Sequence, residues 1–329
     1  MSIGMGIWLS IFTAILWGIY AVPLKITGAR GHHPLSFNVG AAVGFTLLGW
    51  IVTLVVAPSS IGVTASTYGG LLWAPMAVGF LLMVGLAFGF TAIGNIGMAR
   101  AIGVWNMCCI GGALIAILFF GEMHSSPGWA LATLIIGGVI IVAGGITVGW
   151  SSIIQARAAA AEGGAVSDTT GNATKGFTQA IIAAIFFSVF LVPVIAAPKF
   201  SAGFPYAWIA WGGIGAIIGA VISGYIFMGS KFNQTLKVPF SFWCGAALGG
   251  AIWTAGYMML TPAINALGLA VAYPIALSNT IVSALVGVFV FKELKGAPRA
   301  AHYYTWFGII IVMIGVVLVS YARTVPPIH

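Results

Sequence analysis

The sequence predicts an all-α integral membrane protein with ten transmembrane helices arranged as two inverted five-helix repeats. Three observations lead there: the scarcity of charge, the spacing of the apolar runs, and short motifs that recur in the same order in both halves. Charged residues are 5% of the 329 residues and apolar residues 61%, where soluble domains carry roughly a quarter charged. A soluble domain this poor in polar groups could not cover its core, so the expected solvent is lipid. The 46 glycines suit close helix contact in a bilayer and the 12 tryptophans suit anchoring at its interfaces. The formal charge of +8 is spread over loops without a basic cluster, so no nucleic-acid partner is expected.

Crossing the hydrocarbon core takes about 20 apolar residues. Read between charges and polar clusters, the first five spans fall near Gly4–Leu24, Ser36–Ala57, Leu72–Met98, Ile102–Phe120 and Trp129–Trp150. The polar stretch Ser151–Lys175 follows, and then spans near Phe177–Ala197, Pro205–Met228, Phe240–Thr261, Leu267–Phe291 and Tyr304–Tyr321. The first run is too long for the core of a signal peptide, and neither a basic segment nor a clear cleavage site flanks it. It is read as a spanning helix. The expected organisation is a first repeat over 1–150, a central cytoplasmic linker over 151–175 and a second repeat over 176–329.

The repeat rests on three matches. Ala14-Ile15-Leu16-Trp17-Gly18-Ile19-Tyr20-Ala21-Val22-Pro23 aligns without a gap on Ala184-Ile185-Phe186-Phe187-Ser188-Val189-Phe190-Leu191-Val192-Pro193. Gly94-Asn95 matches Gly256-Tyr257, and Gly121-Glu122 matches Lys292-Glu293. Five spans per copy is an odd number, so the second copy must enter the membrane upside down, the architecture of secondary transporters. Loop charges then orient the chain. One side receives Lys25, Arg30, Arg100, Arg157, Lys175, Lys231, Lys237, Lys292, Lys295 and Arg299, the other only Lys199 and Arg323. By the positive-inside rule the rich side is cytoplasmic and both termini are extracytoplasmic.

These motifs carry a resemblance. Leu16-Trp17-Gly18 through Val22-Pro23-Leu24-Lys25, Ala92-Ile93-Gly94-Asn95-Ile96, Ala272-Tyr273-Pro274-Ile275 and Phe289-Val290-Phe291-Lys292-Glu293-Leu294-Lys295-Gly296 resemble elements of the drug/metabolite transporter superfamily. The nearest likeness is to its glucose/ribose-porter and rhamnose-symporter branch. It covers most of the chain outside the central loop, and implies ten helices in two inverted halves around a central cavity, with alternating access. The stretch from Gly103 to Glu122 is shorter than its counterpart from Gly268 to Glu293, so the fourth helix is expected to be built differently.

The acids are Glu122, Glu162, Asp168 and Glu293, and none sits in the middle of a span; the five histidines are also in loops or at the end of the chain. Proton relays and cation sites inside membranes use such groups, so a neutral substrate is expected and the coupling ion stays open. Sugars offer apolar C–H faces for aromatic rings and hydroxyls for amides and hydroxyl side chains. The substrate-binding residues expected on that basis are Trp17, Tyr20, Asn95, Trp253, Tyr257, Tyr273, Ser278 and Asn279. Each has a plainer role available: interface anchoring for the aromatics, a structural helix–helix hydrogen bond for the asparagines. Pro23, Pro193 and Pro274 are expected helix breaks, and Glu122, Lys292 and Glu293 possible gate partners at helix ends. Cys108, Cys109 and Cys244 lack metal-ligand spacing. No catalytic set, phosphate loop, metal or cofactor is expected, so the chain is not read as an enzyme. The expected function is transport of a small neutral solute, a monosaccharide first. The alternatives are a transporter of another neutral metabolite (a ureide, nucleobase or amphipathic compound) or a non-transporting membrane scaffold.

Overall fold

The computed structural model describes residues 1–20, 22–23, 32–69, 72–96, 101, 104–124, 126–161, 173–193, 204–292 and 294–324. Among these the regular structure is entirely helical. In chain order the helices are α1 (Ile3–Ile19), α2 (Pro34–Val56), α3 (Ser59–Thr67), α4 (Trp73–Ile96), α5 (Cys108–Phe120), α6 (Gly128–Ala161) and α7 (Ala173–Val189). They continue with α8 (Phe204–Met228), the single turn α9 (Phe232–Thr235), α10 (Phe240–Leu267), α11 (Leu269–Ala276), α12 (Asn279–Phe289) and α13 (Arg299–Thr324).

Local chemistry explains where several helices start and stop. Ser2 caps α1 by accepting the Met5 N–H at 3.3 Å, and His33 with Pro34 behind it opens α2. α1 ends at Ile19 and α7 at Val189, each four residues before a proline, Pro23 and Pro193. A proline has no N–H to give the carbonyl four residues back and its ring crowds that carbonyl, so the regular helix stops there. Gly121, in the left-handed region at φ 66°, closes α5.

Six helical segments among the described residues are long and apolar enough to cross a membrane: Pro34–Val56, Trp73–Ala92, Gly128–Ser151, Tyr206–Thr235, Leu269–Phe289 and Arg299–Ala322. Ile3–Ile19, Cys108–Phe120 and Thr174–Val189 are apolar but shorter. Large apolar side chains stand fully outward along these helices, Val55 and Phe119 at 78% exposure among them. In water they would form patches no soluble monomer tolerates, so lipid covers them. The chain is an all-α integral membrane protein.

Three boundaries depart from expectation. The eighth span runs on past Thr261 to Leu267 as α10 and ends at Gly268, and the ninth is broken after Ala276 into α11 and α12 in place of one bent helix. α6 runs on past Trp150 to Ala161, well into the segment read as linker. The regular part of the fourth span begins at Cys108, six residues later than the apolar run.

The most extensive pairings join an early helix to a late one: α6 with α13, α4 and α2 with α8, α2 and α1 with α10, α4 and α5 with α7. Small residues make them possible. A Cβ on Gly44 would run into the Ala247 backbone carbonyl, and one on Gly250 into that of Ala41, so α2 and α10 touch backbone to backbone. Gly137 and Gly144 do the same for α6 against Gly315 and Gly308 of α13. Hydroxyl groups tie the same seams: Ser151 donates to the Ala301 carbonyl at 2.9 Å, and Thr13 to that of Gly256 at 3.0 Å.

Candidate functional site

α1 and α10 bring two tryptophans face to face. The Trp17 and Trp253 rings stack with centroids 4.9 Å apart and 9° between planes, and the Trp17 indole N–H donates to the Trp253 carbonyl at 3.0 Å. Gly256, one turn beyond Trp253, is what lets the indole in: a Cβ there would come within 2.7 Å of the Trp17 ring. Tyr273, from the short helix α11, meets Trp17 edge-on at 6.5 Å and Phe190 at 6.0 Å. Its hydroxyl donates to the Phe187 carbonyl at 2.8 Å and lies 3.5 Å from the Cys108 sulfur. Such edge-on and stacked pairs are the preferred aromatic geometries, and here they form one wall.

That wall faces a cavity of about 490 Å³ of empty space, counting its open mouth. Leu82, Leu86, Trp105, Phe187 and Leu277 complete the apolar lining, and Tyr20, Asn106 and Asn279 supply polar groups. Asn106 reaches the Thr280 hydroxyl at 3.4 Å. The side chains of Tyr20 and Asn279 close no hydrogen bond among the described residues. Among the described residues no aspartate, glutamate, lysine, arginine or histidine lines the cavity. Among the described residues no cluster of three or more histidines, cysteines or carboxylates is placed to hold a metal ion.

Of the residues singled out in the sequence, Trp17, Tyr20, Trp253, Tyr273 and Asn279 come together around this space. Tyr257 stands behind it, packed on Trp253, Phe45 and Phe190, with its hydroxyl toward the Trp208 indole but without a hydrogen bond of good geometry. Ser278 turns back to the Ile275 carbonyl at 2.7 Å. Asn95 is elsewhere, donating to the Thr91 carbonyl at 2.9 Å and to Gln179 Oε1 of α7 at 2.8 Å. Pro23 and Pro193 follow the ends of α1 and α7, and Pro274 lies within α11. Lys292 is exposed with φ 52°, and Glu293 lies outside the described residues. Glu122 reaches across to the start of α11, with Oε1 and Oε2 accepting the backbone N–H groups of Leu269 and Ala270, each at 2.9 Å.

Sequence reasoning missed Trp105, Asn106, Phe187 and Phe190. The last two were within reach, because the gapless alignment sets Phe187 opposite Trp17 and Phe190 opposite Tyr20. Asn106 lies three residues after Gly103, the counterpart of Gly268, but a span drawn from Ile102 hid it as one more residue of a continuous helix.

Lipid-covered helices around an aromatic cavity with uncharged polar groups define a membrane transporter for an uncharged polar solute. The profile of the family described as sugar transport protein matches residues 8–322, and the chain belongs to that family. It is a sugar transporter. It is 25% identical over 324 residues to a Priestia megaterium protein named "Probable glucose uptake protein GlcU", covering 97% of this chain and 100% of that one. A Bacillus cereus (strain ATCC 10987 / NRS 248) protein of the same name is 22% identical over the same shares of the two chains. A crystal structure aligns over 97% of this chain and 98% of its own with a TM-score of 0.62 at 15% identity, a likeness of fold.

Proposed function

We propose that the chain is a ten-helix secondary transporter of the drug/metabolite superfamily type, moving a monosaccharide by alternating access between two inverted halves, 1–150 and 176–329. The cavity carries this reading: an aromatic wall for sugar C–H faces beside Tyr20 and Asn279, whose polar groups are left for hydroxyls. Trp17, Tyr20, Trp253, Tyr273 and Asn279 contact the sugar in this reading, together with Asn106, while Tyr257 backs the wall. The names of the two relatives make glucose the first sugar to test.

The inverted repeat is supported by how the helices pair. Exchange each helix for its counterpart in the other half and the main pairings return to themselves. The α4–α7 pairing becomes α10–α1, α4–α8 becomes α10–α2, and α5–α7 becomes α12–α1, while α2–α8, α5–α11 and α6–α13 map onto themselves. The six long apolar segments, the three shorter ones and the 28-residue α10 make up the ten spans. The proline breaks after α1 and α7 sit at matching places, and a proline bend in a helix can serve a gate. The loop charges put both ends outside the cell membrane. Among the described residues no carboxylate lines the cavity, so flux is expected to depend weakly on a proton gradient, and any coupling falls to Glu122 or Glu293.

Uptake of labelled glucose by proteoliposomes tests the reading. Asn279→Ala and Trp17→Ala should each reduce uptake at low sugar by about tenfold or more, the loss of one good polar or stacking contact. Melting of the detergent-solubilised protein should change little for Asn279→Ala, whereas Trp17→Ala empties a buried, hydrogen-bonded position and should lower it. Parental uptake in both variants discards the cavity as the sugar site.

A further inference from the structure

The cavity wall of α10–α12 is held from the other half of the chain, and the fastening is charged. Gly268 takes φ 82° and ψ 160°, a conformation essentially reserved for glycine. It separates α10 from α11, where the eighth expected span gives way to the ninth. A break of this kind leaves the first N–H groups of α11 without helical partners, and in a bilayer unpaired backbone groups are costly. Glu122 answers two of them, Leu269 and Ala270, each at 2.9 Å. Its own backbone is aimed by the turn at Gly121, where the N–H groups of Gly121 and Glu122 both return to the Ala116 carbonyl. Space at Gly268 is reserved for this contact, since a Cβ there would overlap the Glu122 carboxylate.

Tyr273 follows Ala270 by three residues, about 4.5 Å along the helix, and its ring and hydroxyl form part of the cavity wall. A rigid eight-residue helix with its first turn fixed can present that side chain in one place. We propose that Glu122 is a positioning residue for the sugar cavity. Its carboxylate, reaching from the end of α5 to the first turn of α11, sets where Tyr273 stands relative to Trp17 and Phe190. The inference rests on the cavity being the sugar site. Glu122 does not touch the sugar; it tunes affinity through α11.

The test compares Glu122→Gln, Glu122→Asp and Gly268→Ala with the parent. Glu122→Gln keeps the size but loses the charge and one acceptor. Gly268→Ala pushes the carboxylate away from the opposite side, so it reads the same contact should Glu122→Gln yield no folded protein. The sugar readout is uptake kinetics. Half-saturation should rise about tenfold for Glu122→Gln and Gly268→Ala, the scale of one charge-assisted hydrogen bond, with the maximal rate little changed and Glu122→Asp intermediate. A sugar-independent readout comes from Cys108, whose sulfur sits beside the Tyr273 hydroxyl. In a Cys109→Ala, Cys244→Ala background, N-ethylmaleimide should modify Cys108 several-fold faster once α11 is loosened. An unchanged Cys108 rate in the folded variants overturns the proposal, and so does a faster rate with unchanged half-saturation. If the parent takes up no sugar, the sugar reading fails, while Cys108 still decides whether Glu122 holds α11 in place.

Discussion

At the scale of single residues, polar groups buried in lipid sort by what they bond. Asn95 drew attention in the sequence as an amide deep in an apolar run, and it finds Gln179 across the α4–α7 seam. Removing it as Asn95→Ala leaves the buried Gln179 amide short of a partner, a cost of about 1–3 kcal/mol. The expected outcome is a lower melting temperature with sugar half-saturation close to parental; a raised half-saturation at unchanged stability would return Asn95 to the binding site. His33, outside the spans, caps α2 by accepting the Leu35 N–H at 3.2 Å through Nδ1, which only a ring unprotonated at that nitrogen can do. Burial lowers its pKa from the ordinary 6.5. Its contribution to stability is therefore complete above 6.5 and is lost as pH falls from there through the lowered folded value. Melting temperature in detergent should drop on acidification across that window, and His33→Asn, a cap that does not titrate, should flatten the drop. Which amide faces a partner helix and which faces the cavity was not legible in the sequence. Both Asn95 and Asn106 sit in apolar surroundings, and the difference is only the rotation and neighbours of their helices.

At the scale of helices, composition was a good guide to where chain crosses lipid and a poor one to where a helix breaks. The apolar runs foretold α2, α4, α8 and α13 to within a few residues at most ends, because hydropathy reads solvent directly. The boundary expected between Thr261 and Leu267 falls at Gly268, whereas the break after Ala276 is hidden inside the single span expected from Leu267 to Phe291. The shared prolines, by contrast, announced the ends of α1 and α7. The glycine seams make a sharp prediction. Gly250→Leu forces α2 and α10 apart at the Ala41 carbonyl, and overpacking of this kind costs about 1–3 kcal/mol or more. Gly62→Ala, in α3 with open space around it, should stay within about 0.5 kcal/mol of the parent. Equal melting temperatures for the two variants would refute the close α2–α10 contact.

At the scale of the whole molecule, the proposed orientation, with both termini outside, can be checked directly by labelling. A Ser2→Cys thiol should react with an impermeant maleimide on intact cells, whereas Lys231→Cys should react only after permeabilisation. The reverse pattern would turn the protein over in the membrane. The motif matches that suggest a duplication set Trp17 opposite Phe187, and both side chains line the cavity. They said nothing of how far the two sets of helices interleave, since pairing between distant helices depends on surface shape that a linear pattern does not carry.

That interleaving has a consequence for how the molecule is made. The notches at Gly40, Gly44, Gly79, Gly137 and Gly144 are filled by α8, α10 and α13, all of which leave the ribosome after α1–α6. At roughly 5–20 residues per second, the early helices wait in the bilayer for several seconds or longer with their grooves unoccupied. A message truncated within α8 would deliver an unfinished bundle lacking most of its partners, a substrate for membrane proteases rather than half a transporter.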